Sequence, residues 1–268
     1  SDCRLTSVAA CDGTHTCVDD NTVSSQTNVF DGVADKVLTD SGPNYGNAGF
    51  GLSNDNVLVV GDFASQTAHI YEKDAGSSQE WTFKTTISSP DGATHTKFGV
   101  TAHVSEADEL GHQYIIVGTE KQANGAYILR RKPDDLSSWR DTFLRVNLPI
   151  PSETELAVEY APSINEPGLV KITVNDAFVA TPGMGVVYIF QNDKSSGDYP
   201  SFSSSCDWST GVCNDATVAF TLDKYTTGQF TSYFGQAMSI SHDQLIVGAH
   251  GSAKAYIFLK KDVQGSEW

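Results

Sequence analysis

The 268 residues carry a formal net charge of −16, with 33 Asp and Glu against 17 Lys and Arg. So acidic a surface repels phosphate backbones and anionic lipid, which disfavours nucleic acid and membrane surfaces as partners, and no apolar stretch approaches the roughly 20 residues that membrane insertion needs. Only 19% of residues are charged while 39% are hydrophobic, so the polar surface is built largely from Ser, Thr, Asn, Gln and Gly, as in loop-rich β-structure.

Residues 1–28 show no apolar period and hold Cys3, Cys11 and Cys17. They read as an irregular cysteine-containing N-terminal extension. No signal peptide opens at Ser1, so a secreted chain is read as the mature form. Residues 29–38 read as an outer strand, followed by the turn Asp40-Ser41-Gly42-Pro43. The first unit then runs Phe50-Gly51, the apolar run Val57–Val60 with Gly61, His69-Ile70-Tyr71 and Trp81. The second runs Phe98-Gly99, Ile115–Val117 with Gly118, Gly125-Ala126-Tyr127-Ile128 and Trp139. A divergent third unit has strands at Leu156–Tyr160, Leu169–Val174 and Val186–Phe190, and Tyr160-Ala161 stands where Phe-Gly is expected. The last runs Phe234-Gly235, Leu245–Val247 with Gly248-Ala249, Ala255-Tyr256-Ile257-Phe258 and Trp268. Outer strands are expected at 81–87, 139–148 and 216–222.

Tyr71, Tyr127, Tyr188 and Tyr256 serve as anchors, 56, 61 and 68 residues apart. Loop insertions of that size cost a chain little. The apolar runs do not alternate with polar residues, as expected of strands covered on both faces. Blades of a propeller meet that condition. The expected fold is all-β, a β-propeller of four-stranded antiparallel blades over residues 29–268. About four blades are present, with repeats near 50–98, 98–148, 156–222 and 234–268. They make either a closed four-bladed ring, with 29–38 joining the last group, or part of a larger propeller.

The run Phe234-Gly235, Leu245-Ile246-Val247-Gly248-Ala249-His250, Ala255-Tyr256-Ile257-Phe258 and Trp268 resembles an FG-GAP repeat, the repeat of integrin-α propellers. His250 replaces the family's usual proline, and Asp62-Phe63 and Thr119-Glu120 also depart from Gly-Ala-Pro. The resemblance implies a propeller with an adhesive or structural role. Calcium-binding members carry an oxygen-rich loop before the Val-Gly-Ala strand. Here only Asn54-Asp55-Asn56 and His242-Asp243-Gln244 stand there. Calcium wants six to eight oxygen ligands, so the short calcium-poor subtype is expected, with no cofactor. Asp55 and Asp243 are the residues on which a calcium ion would have to draw.

Neither cysteine group has zinc spacing. Cys11 with Cys17 and Cys206 with Cys213 read as local disulfides, which implies an oxidising, extracellular or cell-surface location. No catalytic signature appears, so no catalytic residue is assigned. The insertion 191–215 carries Tyr199, Phe202 and Trp208 beside Cys206 and Cys213. These aromatics are the candidate contacts for protein or glycan. The expected function is a non-catalytic extracellular module for adhesion or assembly, including self-assembly into a surface structure or filament. The alternatives are a carbohydrate-active enzyme and the propeller part of a larger receptor or enzyme.

Overall fold

The computed structural model describes residues 38, 45–54, 56–73, 80–90, 97–108, 111–119, 124–131, 139–147, 169–181, 185–192, 219–223, 233–241 and 243–260. The chain divides into two units, Ser1–Thr39 and Asp40–Trp268. Of the first unit only Leu38 is described. The extension 1–28 and nearly all of the expected strand 29–38 therefore lie outside the described residues.

The second unit is all-β and holds four antiparallel sheets. The first consists of β1 (Tyr45–Leu52), β2 (Val57–Asp62), β3 (Thr67–Lys73) and β4 (Trp81–Ser88). The second consists of β5 (Thr101–Val104), β6 (Tyr114–Gly118), β7 (Asn124–Arg131) and β8 (Trp139–Asn147). The third consists of β9 (Val170–Ile172), β10 (Asp176–Thr181), β11 (Val186–Gln191) and β12 (Phe220–Asp223). The fourth consists of β13 (Phe234–Ser241), β14 (Gln244–Ala249) and β15 (Lys254–Leu259). Each sheet is a meander in chain order. Consecutive sheets pack through their leading strands, β1 on β5, β5 on β9 and β9 on β13. This is the stacking of propeller-type blades. β6 is buried at every position, which explains its unbroken apolar run: one side chain faces the sheet before and the next faces the sheet after.

The repeat is visible in the backbone. Lys97 and Tyr233 adopt φ of 39° and 45°, and Gly99 and Gly235 adopt 92° and 93°. In both places a main-chain bond closes the turn, Val100 N–H to Lys97 O at 3.1 Å and Gln236 N–H to Tyr233 O at 3.2 Å. A side chain at φ near +90° is strained, so glycine follows phenylalanine for a conformational reason. Phe98 and Phe234, held between these turns, are fully buried.

Three expectations need correction. Phe50 does not share the surroundings of Phe98 and Phe234; it is 66% exposed. It pairs with Val60, as Ala102 pairs with Val117 and Met238 with Val247. Tyr45, paired with Asp62 across a bulge, takes the backbone place that Phe234 takes opposite Ala249. Tyr71 is likewise two residues out of step. Gly61, Gly118 and Gly248 pair with Ala68, Ala126 and Ala255. The residue matching Tyr127 and Tyr256 is therefore His69. In the third unit, Leu169–Val174 contributes the leading strand rather than the second. The second strand is Asp176–Thr181, which opens directly after the turn at Val174-Asn175. Leu156–Tyr160, Tyr160-Ala161 and Trp268 lie outside the described residues.

Candidate functional site

Alternation along the third strand of each sheet sorts its side chains into two faces. Ala68 and Ile70, Ala126 and Ile128, and Val187 and Ile189 point forward, to the next sheet. Tyr127 and Leu129, Tyr188 and Phe190, and Tyr256 and Phe258 point back, to the previous one. Each sheet thus has a socket face and a plug face. Ile116 and Ile128 are fully buried by such seating, and each fully buried side chain of that size contributes about 1.5–3 kcal/mol.

Glycine sets how deeply a plug sits. A Cβ on Gly61 would overlap the carbonyl oxygen of Gly99, and one on Gly51 would lie 2.6 Å from His103 Cα. The first two sheets therefore touch backbone to backbone.

Among the described residues nothing gives the two end faces such cover. Phe50, Leu52 and Phe83 stand 66%, 60% and 55% exposed on the plug face of the first sheet. Ile246, Ile257 and Leu259 stand 43%, 66% and 57% exposed on the socket face of the last. The repeat register makes Ile246 and Ile257 the counterparts of Ile116 and Ile128. Beside them lies a shallow depression of ≈ 530 Å³ bordered by Gln236, Ala237, Gly248, His250 and Ala255. Gly248 occupies the position of Gly61, yet the nearest atom to its would-be Cβ is the Ala237 Cβ of its own sheet, at 3.3 Å. At the matching place in the first sheet, the turn at Gly99 is seated against Gly61.

Polar bonds fasten each junction at its far end. The N–H groups of Lys73, Arg131, Asn192 and Lys260 donate to the carbonyls of Asn56, Gln113, Asn175 and Asp243, one in each sheet. From the same positions three side chains reach back a sheet. Arg131 pairs with Glu72, Asn192 Nδ2 donates to the Tyr114 hydroxyl at 3.4 Å, and Lys260 Nζ donates to Asp176 Oδ2 at 2.7 Å. Burial pushes the Tyr114 phenol up to about 12. Glu106, exposed to solvent, accepts the Asn54 N–H across the first junction at 2.8 Å. Asp108 accepts the His112 N–H at 2.7 Å and meets its ring at 2.9 Å.

Asp243 sits in the exposed turn between β13 and β14. Its carbonyl is taken by Lys260. Among the described residues no three His, Cys, Asp or Glu side chains cluster around a metal-sized space. Asp55, Cys11, Cys17, Cys206, Cys213, Tyr199, Phe202 and Trp208 all lie outside the described residues. The end faces escaped sequence reasoning because Ile246 and Ile257 have the same residue type and spacing as their buried counterparts. Among the described residues only their exposure distinguishes them.

His103, on β5, is held between leading strands. Its Nδ1 accepts the Ile172 N–H from β9 at 3.3 Å, so the neutral ring carries its proton on Nε2. Burial, aided by the charge of Lys171, lowers its pKa to about 4. A histidine lowered on folding binds fewer protons folded than unfolded between pH 6.5 and 4. Stability is thus full above about pH 6.5 and falls on acidification toward pH 4, by on the order of 2–3 kcal/mol. Urea titrations at pH 7 and pH 4.5 check this: His103→Leu is expected to remove most of the difference, and an unchanged difference would assign it to other groups.

No protein-family model and no curated protein sequence matches the chain. Several solved structures are similar in shape. Streptogramin B lyase matches at 12% identity and TM-score 0.43, over 85% of this chain and 59% of that one. A protein from Lactobacillus plantarum matches at 14% and 0.47, over 85% and 55%. YCF48 bound to D1 peptide matches at 14% and 0.36, over 80% and 50%. The chain spans less than two thirds of each. At such identities and TM-scores no function passes from them to this chain.

Proposed function

We propose that the chain is a non-catalytic, extracellular module of FG-GAP-like repeats that acts in adhesion or assembly. The observation that carries this reading is the pair of uncovered apolar sheet faces. Exposed apolar surface of this kind, contiguous and flanked by polar ends, marks a place where a partner docks. The matched turns at Phe98-Gly99 and Phe234-Gly235 support the repeat. The exposure of both end faces supports an open run of four blades over a closed four-bladed ring. The oxidising location rests on the cysteine spacing, with Cys11–Cys17 and Cys206–Cys213 as the pairs. Tyr199, Phe202 and Trp208 remain the insertion's proposed contacts for protein or glycan.

The test is the solution mass of the 268-residue chain at micromolar concentration, alone and with candidate protein and glycan ligands. A mass above the single chain's 28.8 kDa, or saturable binding, is expected. A strictly solitary protein that binds none of them would remove the reading.

A further inference from the structure

We propose that two copies of this chain assemble head to tail, the plug face of one first sheet seating in the socket face of the other's last sheet. The proposal rests on the binding-module reading and names the partner. The three interior junctions show what the socket accepts. In the first two sheets Ala-x-Ile on the third strand and a glycine near the end of the second receive an apolar plug from the next sheet, and in the third sheet Val187-x-Ile189 with Ala180 does the same. The last sheet repeats that socket with Ala255, Ile257, Ile246 and Gly248. The first sheet carries a spare plug: Phe50 and Leu52 on β1, with Phe83 packed edge-on against Tyr71 at 5.7 Å. Both faces are exposed in the single chain, so its own plug does not fill its own socket. A second copy supplies the missing half of each.

Charge agrees with this pairing. The chain has a net charge of −16, which opposes self-association at long range. The socket face nevertheless places Ala237, Ser239, Gln244, Ile246, Gly248, Ala255, Ile257 and Leu259 in one register, none of them acidic, with His250 and Lys254 at the rim of the depression. On the plug face the one described carboxylate, Asp62, is buried and accepts bonds from its own turn at Ala64 and Ser65. Lys73 holds the position from which Arg131, Asn192 and Lys260 reach back to the preceding sheet. The acceptor offered there by a second copy is Gln244, the residue in register with Tyr114 and Asp176. A cation thus faces an amide, and no acid faces another acid.

Stoichiometry follows from symmetry. Plug-to-socket contact is heterologous and propagates unless rotation closes it. Propellers close with about four to eight blades, so two copies of four sheets complete a ring and a third does not fit.

The experiment is native mass spectrometry with light scattering on the 268-residue chain and two charge variants, Phe50→Glu in the plug and Ile257→Glu in the socket. Both positions are exposed, and unchanged circular dichroism and melting temperature confirm folding. Wild type is expected at twice 28.8 kDa. Each variant alone is expected at the single-chain mass, with association weakened at least 100-fold. Mixing the two is expected to restore a two-chain species of intermediate affinity, because the intact plug of one meets the intact socket of the other. Wild type remaining single at 100 µM overturns the proposal. So does a wild-type dimer that mixing cannot restore, since that pattern belongs to like faces meeting. If the chain stays single yet binds another protein saturably, head-to-tail pairing fails while the binding-module reading stands.

Discussion

Gly61→Ala is expected to destabilise the chain by at least about 3 kcal/mol, while Gly248→Ala stays within about 1 kcal/mol of wild type. The two glycines hold the same place in their sheets, ending the second strand opposite an alanine. Ordinary strand propensity favours alanine at both. What differs is the neighbour. At Gly61 the new Cβ would overlap the carbonyl oxygen of Gly99 and stand 3.0 Å from its Cα. That carbonyl cannot swing aside, because Gly99 is fixed at φ 92° and its N–H is bonded to Gly118 O at 3.2 Å. At Gly248 the closest atoms are 3.3 and 3.6 Å away, both on Ala237. Thermal unfolding reads the contrast. A 3 kcal/mol loss in a unit of this size lowers Tm by roughly 6–12 °C. Equal losses at the two positions would contradict the seating of the first two sheets.

The same contrast explains which parts of the fold were legible in the sequence. Sheet class, four units, the turn glycines and the outer strands beginning at Trp81 and Trp139 follow from residue type and spacing, because backbone and burial both constrain those positions. Register within a unit does not. Side chains in a strand alternate with period two, so a slip of two residues keeps every face intact. Tyr71 could therefore pass for the counterpart of Tyr127 although His69 holds that place, packed between Thr67 and Thr86 through ring contacts of 3.2 and 3.1 Å. The pairing of Gly61 with Ala68 breaks the tie, and it is a fact of three dimensions. Phe50-Gly51 misled for a related reason: a dipeptide carries no record of φ. Gly99 and Gly235 have positive φ, whereas Gly51 owes its identity to the approach of His103 Cα. In the third unit the strand Asp176–Thr181 escaped notice: Asn175 lies in the turn before it, yet Asp176 is buried at the start of the strand. Its reason, Lys260, lies 84 residues away, beyond the reach of any local pattern.

That distant pair supplies the second large effect. Lys260→Met is expected to cost about 3–5 kcal/mol, the penalty for leaving a buried carboxylate without its cation. The Asp176 and Lys260 side chains are only 3% and 11% exposed, so water cannot take over the lost bond. Methionine preserves the length and apolar stem of lysine, so packing against the third sheet is largely kept and the loss is electrostatic. The Lys84–Glu72 pair is the internal control. It spans 3.8 Å with Lys84 35% exposed, and Lys84→Met is expected to change stability by about 0.5 kcal/mol or less. Adding Asp176→Leu to Lys260→Met is expected to recover most of the loss, because two apolar groups of similar volume substitute well for a buried pair while half a pair does not. Urea unfolding of wild type, Lys260→Met, Asp176→Leu, the double variant and Lys84→Met at pH 7 measures all of this. Additive losses in the double variant would mean that each side chain acts alone, and the third and fourth sheets would then be joined by apolar seating without an ionic fastening.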